Sequence, residues 1–383
     1  MQRKLRILEC IRQGQIGGGE SHLLCLVEHL DRERFEPVVL SFTPGPMVDR
    51  LQEMGVDTHV IYTEKPFDVR VWRQVRRFLK QQKVDLIHAH GTRANSNIIW
   101  AARSLGIPVI YTVHGWSFHQ DQHPIVRRIR ILGEKLLTST SSLNISVSDS
   151  NRESGRKVIP SFRSVVVNNG IDRKRFNPNR ELKDVRAELG IPADKFLVLF
   201  MARFTGHKQP LTLIRAFQKA LQKNPDMVLL MVGDGDEKEQ AKQLLKALNL
   251  EKDVILHPFR HDVPDVLAAA DLYVLPSLWE GLPIGLLEAM SMGKAVVATQ
   301  VDGTKEVVLH RENGLLTEPG NIDELANAIV KVATEPSLRD QFRQNALNTV
   351  KNRFCASEMT KTIQNLYLDV WRKKTINLPQ HKL

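Results

Sequence analysis

The feature that most restricts how this chain can fold is a rhythm of short apolar runs separated by segments with helical spacing. In the first part, Leu5 to Ile11, Val38 to Phe42, His59 to Tyr62, Asp85 to His90, Val109 to Val113 and Leu143 to Val147 read as strands. Glu20 to Leu30, Val69 to Gln82 and Arg93 to Leu105 between them read as helices. Runs this apolar belong to strands covered on both faces, and strands alternating with helices build βαβ units. The expected fold class is therefore α/β, with a doubly wound parallel sheet. A polar, proline-containing stretch from Asn177 to Lys195 interrupts the rhythm, which then resumes with Leu197 to Met201, Met227 to Val232, Val254 to Phe259, Leu272 to Leu275 and Ala295 to Thr299. With 383 residues, 42% of them apolar, the chain can bury two cores. The expected division is 1–175, 176–360 and a last helical segment 361–383.

Chemistry-bearing residues gather at predicted strand ends. After Leu272 to Leu275 a loop carries Glu280, Gly281, Leu282 and Pro283, and Ile284 to Met292 has helical spacing that Gly293 would stop. Glu280 and Glu288 stand in apolar surroundings, where a carboxylate without partners is costly; sugar hydroxyls would suit them. Arg203 and Lys208 follow the strand Leu197 to Met201, and two fixed cations at a strand end suit a diphosphate. Gly17, Gly18 and Gly19 lie between a strand and a helix, an arrangement that cradles phosphate or simply makes a turn. His119 and His123, with Asp121 between them, have the spacing of a metal-binding helical face but no further ligand pattern. Asp234 and Asp236 imitate a metal-holding pair, yet their place between a strand and a helix is explained by a turn and an N-cap, so no metal site is expected.

The string EGLPIGLLE from Glu280 to Glu288, followed by EAMSMGKAVVAT, VDGTKEVV and NGLL, resembles the nucleotide-sugar site of the retaining glycosyltransferases of family 4. The resemblance recurs along nearly the whole chain, in TVHG at His114, in VVVNNGID before Phe176 and in the Arg203/Lys208 loop. It implies the GT-B fold: two Rossmann-like domains facing across a cleft, with the last helix crossing back to the first. It also implies a donor that is a UDP- or GDP-sugar, a glycan or lipid-linked acceptor, and no cofactor or metal. By this resemblance Glu280 binds sugar hydroxyls, Glu288 the ribose diol, and Arg203 with Lys208 the diphosphate. His114 faces the transferred sugar, Gly18, Gly19 and Thr304 lie near the donor phosphates, and the segment of Arg260, with Gly281 and Leu282, borders the nucleotide. Gln209 stands where the family usually has glycine, and Asp302 where it more often has a second glycine. An epimerase acting on nucleotide sugars and a binder without catalysis are the competing readings.

Residues 1–175 hold 27 Lys and Arg against 17 Asp and Glu, so nearly all of the net charge of +11 falls there. Such a surplus calls for an anionic partner, and without a nucleic-acid motif a membrane surface or a polyanionic acceptor is preferred over nucleic acid. The basic helical segments Val69 to Gln82 and Ile125 to Leu137 are either ordinary solvated faces or the points of membrane contact. Three cysteines, no apolar run of membrane-spanning length and no cleavage signal give the expectation of a soluble cytoplasmic protein, peripheral at most on the membrane.

Overall fold

The computed structural model describes residues 3–119 and 122–376. The chain divides after Gly170 and again before Ala356: the first unit takes the residues up to Gly170 together with the helix Ala356–Ile376, and the second spans Ile171–Cys355. The first junction lies five residues before the expected 175, and the returning helix starts at Ala356 rather than 361.

The first unit is built on β1 (Leu5–Ile11), β2 (Phe35–Ser41), β3 (Asp57–Val60), β4 (Leu86–His90), β5 (Val109–Val113), β6 (Leu143–Ser146) and β7 (Val165–Val166). All pairings are parallel, in the order β3-β2-β1-β4-β5-β6-β7. The order reverses between β1 and β4, where Glu9 pairs with His88 and Ile11 with His90. In open sheets of this kind, ligands sit beyond the carboxyl ends of the strands at such a reversal. Leu8 and Cys10 point into one core, and Leu5 and Ile7 into another on the opposite face, so β1 is covered on both sides. The second cover includes Met359, Ile363, Tyr367 and Val370, one face of the helix Ala356–Ile376. Burying each such apolar side chain stabilises by about 1.5–3 kcal/mol, which holds the last helix on the first unit.

The second unit carries β8 (Phe196–Met201), β9 (Met227–Val232), β10 (Val254–His257), β11 (Leu272–Leu275), β12 (Ala295–Thr299) and β13 (Leu315–Thr317). They too pair in parallel, in the order β10-β9-β8-β11-β12-β13, with the reversal between β8 and β11. Beyond β13 the chain forms two helices, Ile322–Thr334 and Pro336–Arg353, because Pro336 has no N–H to continue the first and instead opens the second. The helix Ile284–Ser291 ends as expected, with Gly293 at φ +64° donating its N–H to the carbonyl of Met290. Among the described residues no helix is long and apolar enough to cross a membrane.

Candidate functional site

In the second unit the loops leaving β8 and β11, the strands that flank the reversal, are locked to each other. The carbonyl of His207 accepts from the N–H of Leu278 (2.8 Å), and the His207 ring stacks on Trp279 with centroids 4.1 Å apart. This brings Lys208 and Glu280 together: the Lys208 ammonium pairs with Oε1 of Glu280, which also accepts from the Ser277 hydroxyl at 2.6 Å. Both side chains are largely buried, so water screens the pair weakly. Oε2 of Glu280 meets no hydrogen-bond partner among the described residues, and the ammonium keeps donors to spare. The pair can thus present an acceptor and a cation side by side, the chemistry that a hydroxyl-bearing anion needs. Arg203 stands exposed on the turn leaving β8.

Gln209 holds a backbone conformation that suits glycine. Gln209 adopts the left-handed conformation (φ +55°, ψ +46°) that glycine takes freely, and its amide bonds the carbonyl of Gly206 at 2.6 Å. A side chain held there costs about 1–2 kcal/mol of backbone strain. Gln209→Ala, which keeps the strain and loses the amide, is therefore expected to unfold about 1 kcal/mol more easily than Gln209→Gly in denaturant titrations.

Glu280, Gly281 and Leu282 are backed by Gly303. A Cβ on Gly303 would lie 1.9 Å from the Gly281 carbonyl oxygen, and the Gly303 N–H points to the carbonyl of Glu280 (3.4 Å). Beside it Thr304 is fully buried, and its hydroxyl meets no hydrogen-bond partner among the described residues. Glu288, on the helix Ile284–Ser291, is half-buried; burial pushes its carboxyl up to about 7 against an opposing pull from Arg175, and no described group hydrogen-bonds it.

Two expectations change. Arg260 is buried, with its guanidinium gripping Glu188 through two bonds (2.6 and 2.9 Å) and Asp262 through two more (2.9 and 2.6 Å). Its side chain fastens the second unit internally. Asp234 is not an N-cap: the helix is Lys238–Ala247, with Glu237 at the capping position. Asp234 instead bonds the Lys238 ammonium (2.5 Å) and the N–H of Phe259 (2.9 Å), tying together the ends of β9 and β10.

In the first unit, the residues at the reversal are histidines. His114, just past β5, lies 3.1 Å from His90 Nδ1 through its Nε2, and His90 Nε2 lies 2.9 Å from Glu9. His22, from the helix Gly18–His29, packs edge-on against His114 with centroids 4.9 Å apart. A Cβ on Gly19 would touch the His114 ring at 3.6 Å, an ordinary contact, and one on Gly18 would meet nothing. No described group therefore requires glycine at these two positions. Burial holds the imidazoles of His22 (about 3), His90 (about 4) and His114 well below the usual histidine range. His123 does not join His119 in a metal face: its Nδ1 caps the helix Pro124–Thr140 by accepting from the N–H of Ile125, and Asp121 lies outside the described residues. The nitrogen and oxygen sets close enough to share an ion are instead His22, His90 and His114, and Glu9, His88 and His90. Sequence reasoning missed this convergence, together with Ser277, His207 and Trp279.

Residues 16–175 match the family model described as Glycosyltransferase Family 4, and residues 182–349 that of Glycosyl transferases group 1. The chain is 28% identical over 354 residues, 90% of its length and 91% of the other's, to an Escherichia coli UDP-Gal:alpha-D-GlcNAc-diphosphoundecaprenol alpha-1,3-galactosyltransferase. Its fold is similar to that of HepE from Anabaena, solved in complex with UDP-glucose, with a TM-score of 0.84, 25% identity and coverage of 95% and 100% of the two chains. At 17% identity and a TM-score of 0.76, WaaG, a glycosyltransferase involved in lipopolysaccharide biosynthesis, shares the fold over 94% of this chain and 99% of its own.

Proposed function

Since the chain belongs to glycosyltransferase family 4, we propose that it transfers a hexosyl group from a nucleotide diphosphate sugar, a UDP-sugar in the first instance, to a hydroxyl of a glycan or lipid-linked acceptor, with retention of configuration and without a metal ion. The observation that carries this reading is the Lys208–Glu280 pair at the β8/β11 reversal, with one carboxylate oxygen and the ammonium donors turned to no other described group. Lys208, with Arg203, neutralises the diphosphate as it leaves, a task that a divalent cation performs elsewhere. Glu280 accepts from sugar hydroxyls and Glu288 from the ribose diol, with Thr304 at the start of the helix beside the donor phosphates. Gly18 and Gly19, which no described group requires to be glycine, keep backbone N–H groups open to a phosphate. The leaving phosphate takes the acceptor's proton. Release of nucleotide diphosphate in proportion to a new glycoside of the donor's own anomeric configuration tests the proposal. Epimerised nucleotide sugar with the nucleotide still attached would replace it with the isomerase reading.

The Glu288 carboxyl gives the donor affinity a pH dependence. A carboxylate accepts hydroxyl hydrogen bonds more strongly than a carboxylic acid does, and Glu288 ionises near pH 7. Nucleotide binding measured calorimetrically is expected to tighten by several-fold from pH 6 to pH 8, and to stay level in Glu288→Gln. The sign is opposite for folding: the folded chain keeps a proton that the unfolded chain loses near pH 4.5, so this group's contribution to stability falls as pH rises from about 4.5 to 7.

The acceptor side of the proposal includes contact with an anionic membrane surface, through one helix rather than two. In Val69–Gln81 the apolar residues Val71, Val75, Phe78 and Leu79 are buried, so its arginines are simply the solvated face. In Pro124–Thr140 the apolar stripe faces outward: Ile125, Ile129 and Leu132 are 65%, 63% and 59% exposed, Leu136 continues the same i, i+4, i+7, i+11 line, and Arg127, Arg128, Arg130 and Lys135 flank it. The protein is expected to sediment with vesicles containing anionic lipid and not with neutral ones. Ile129→Ser with Leu132→Ser should weaken that binding at least about tenfold. Equal sedimentation of the variant would remove this helix from the proposal.

A further inference from the structure

We propose that Glu9 and His90 are positioning residues for His114: the line Glu9–His90–His114 fixes His114 as the tautomer with its hydrogen on Nε2, so that His114 offers the lone pair of Nδ1 and meets the transferred sugar as a hydrogen-bond acceptor. The inference rests on the reading above that His114 faces the sugar.

A carboxylate stands where the fold calls for an apolar residue. Glu9 lies on the face of β1 that carries Leu5 and Ile7 into the core, and it is fully buried. Burial works against its charge, but the neighbouring imidazoles of His88 and His90 outweigh this and hold its carboxyl well below the usual range. An ionised carboxylate in such a place must be met by donors. The Tyr367 hydroxyl donates to Oε1 at 2.6 Å, and His90 Nε2 lies 2.9 Å from Oε2.

Counting hydrogens then fixes the rest. Tyr367 has one hydroxyl hydrogen and gives it to Glu9, so its 2.7 Å contact with His88 requires the hydrogen to be on His88 Nδ1. His88 Nδ1 also lies 3.2 Å from Glu9 Oε2, and its Nε2 meets the Thr112 hydroxyl at 2.7 Å. His90 gives its Nε2 hydrogen to the carboxylate, so its Nδ1 carries a lone pair. The group 3.1 Å from that lone pair is His114 Nε2, which must therefore be the donor. The low pKa values of His90 and His114 agree, because each neutral ring has a single hydrogen to place. His114 Nδ1 then remains an acceptor that no described residue engages. The ring is held in its plane by the stacked His90 ring (5.3 Å between centroids) and the edge of His22 (4.9 Å). A divalent ion shared by His22, His90 and His114 would take the place of this hydrogen bond, so the two arrangements exclude each other.

Nitrogen-15 NMR of the full chain with labelled histidine reads the tautomer directly, with His114 assigned by its loss in His114→Gln. The expected wild-type result is a protonated Nε2 and a bare Nδ1 on His114. In Glu9→Gln and His90→Gln a second population with the hydrogen on Nδ1 should appear, and kcat should fall at least tenfold with little change in the donor KM. His90→Asn, whose Oδ1 can replace the Nδ1 acceptor, should recover most of the loss. A wild-type His114 protonated on Nδ1 overturns the proposal without reliance on any variant. So does an unchanged tautomer in both substitutions, or a joint shift of the His22, His90 and His114 signals with one equivalent of zinc. Wild-type turnover in His114→Gln, with the tautomer as expected, would instead remove the catalytic reading of His114 and leave the relay standing.

Discussion

Glu280→Gln is expected to lower kcat by about 10²–10³-fold while nucleotide affinity moves by less than about threefold. The substitution keeps the shape of the side chain and the bond from Ser277, but removes the charge that Lys208 faces and weakens the acceptor offered to the sugar. Those interactions are made with the sugar being transferred, so their loss appears in turnover rather than in the grip on the nucleotide. Arg203→Ala differs: a cation that meets the diphosphate serves both ground state and departure, and affinity and turnover should fall together. Steady-state kinetics with separate nucleotide binding measurements distinguish the two patterns. Unchanged kinetics in Glu280→Gln would remove this residue from the reaction.

Gly303→Ala is expected to reduce kcat/KM by about 10²-fold, although its side chain need not touch any substrate. The added methyl group would lie 1.9 Å from the Gly281 carbonyl oxygen and 3.1 Å from the Leu282 Cα, both backbone atoms. The loop that carries Glu280 must therefore retreat, because no flexible side chain can absorb the overlap. The loss should be smaller in Gly293→Ala, where the nearest atom is a Leu347 methyl at 3.3 Å and the strain arises from a positive φ away from the loop. A Gly303→Ala enzyme with normal kcat/KM would mean that the position of this loop does not matter to the reaction.

The two sheets were legible because strands covered on both faces leave uninterrupted apolar runs. β13 escaped notice because three residues, Leu315–Thr317, are too few to show a period. The second unit's site was legible to the extent that each part follows its own strand within a few residues, as Lys208 follows β8 and Glu280 follows β11. What the sequence could not show was that these two residues bond to each other, since they are brought together only by the reversal of strand order. The hold on Arg260 was hidden for a related reason: its partner Glu188 is 72 residues away. The histidine cluster was the least legible. Glu9 lies inside an apolar run and Tyr367 inside a helix 358 residues later, and only the return of that helix to β1 makes them one network.

Thermal unfolding of the full chain against a panel of nucleotide sugars, free nucleotides and free sugars tests most directly whether the β8/β11 loops form the donor site. The account predicts that one nucleotide sugar raises Tm by several degrees at a concentration well above its Kd, that its free sugar does not, and that the rise is lost in Lys208→Ala with Arg203→Ala. An equal rise in that double variant would contradict the account, because the donor would then be held by something other than the charges at the strand reversal of the second unit.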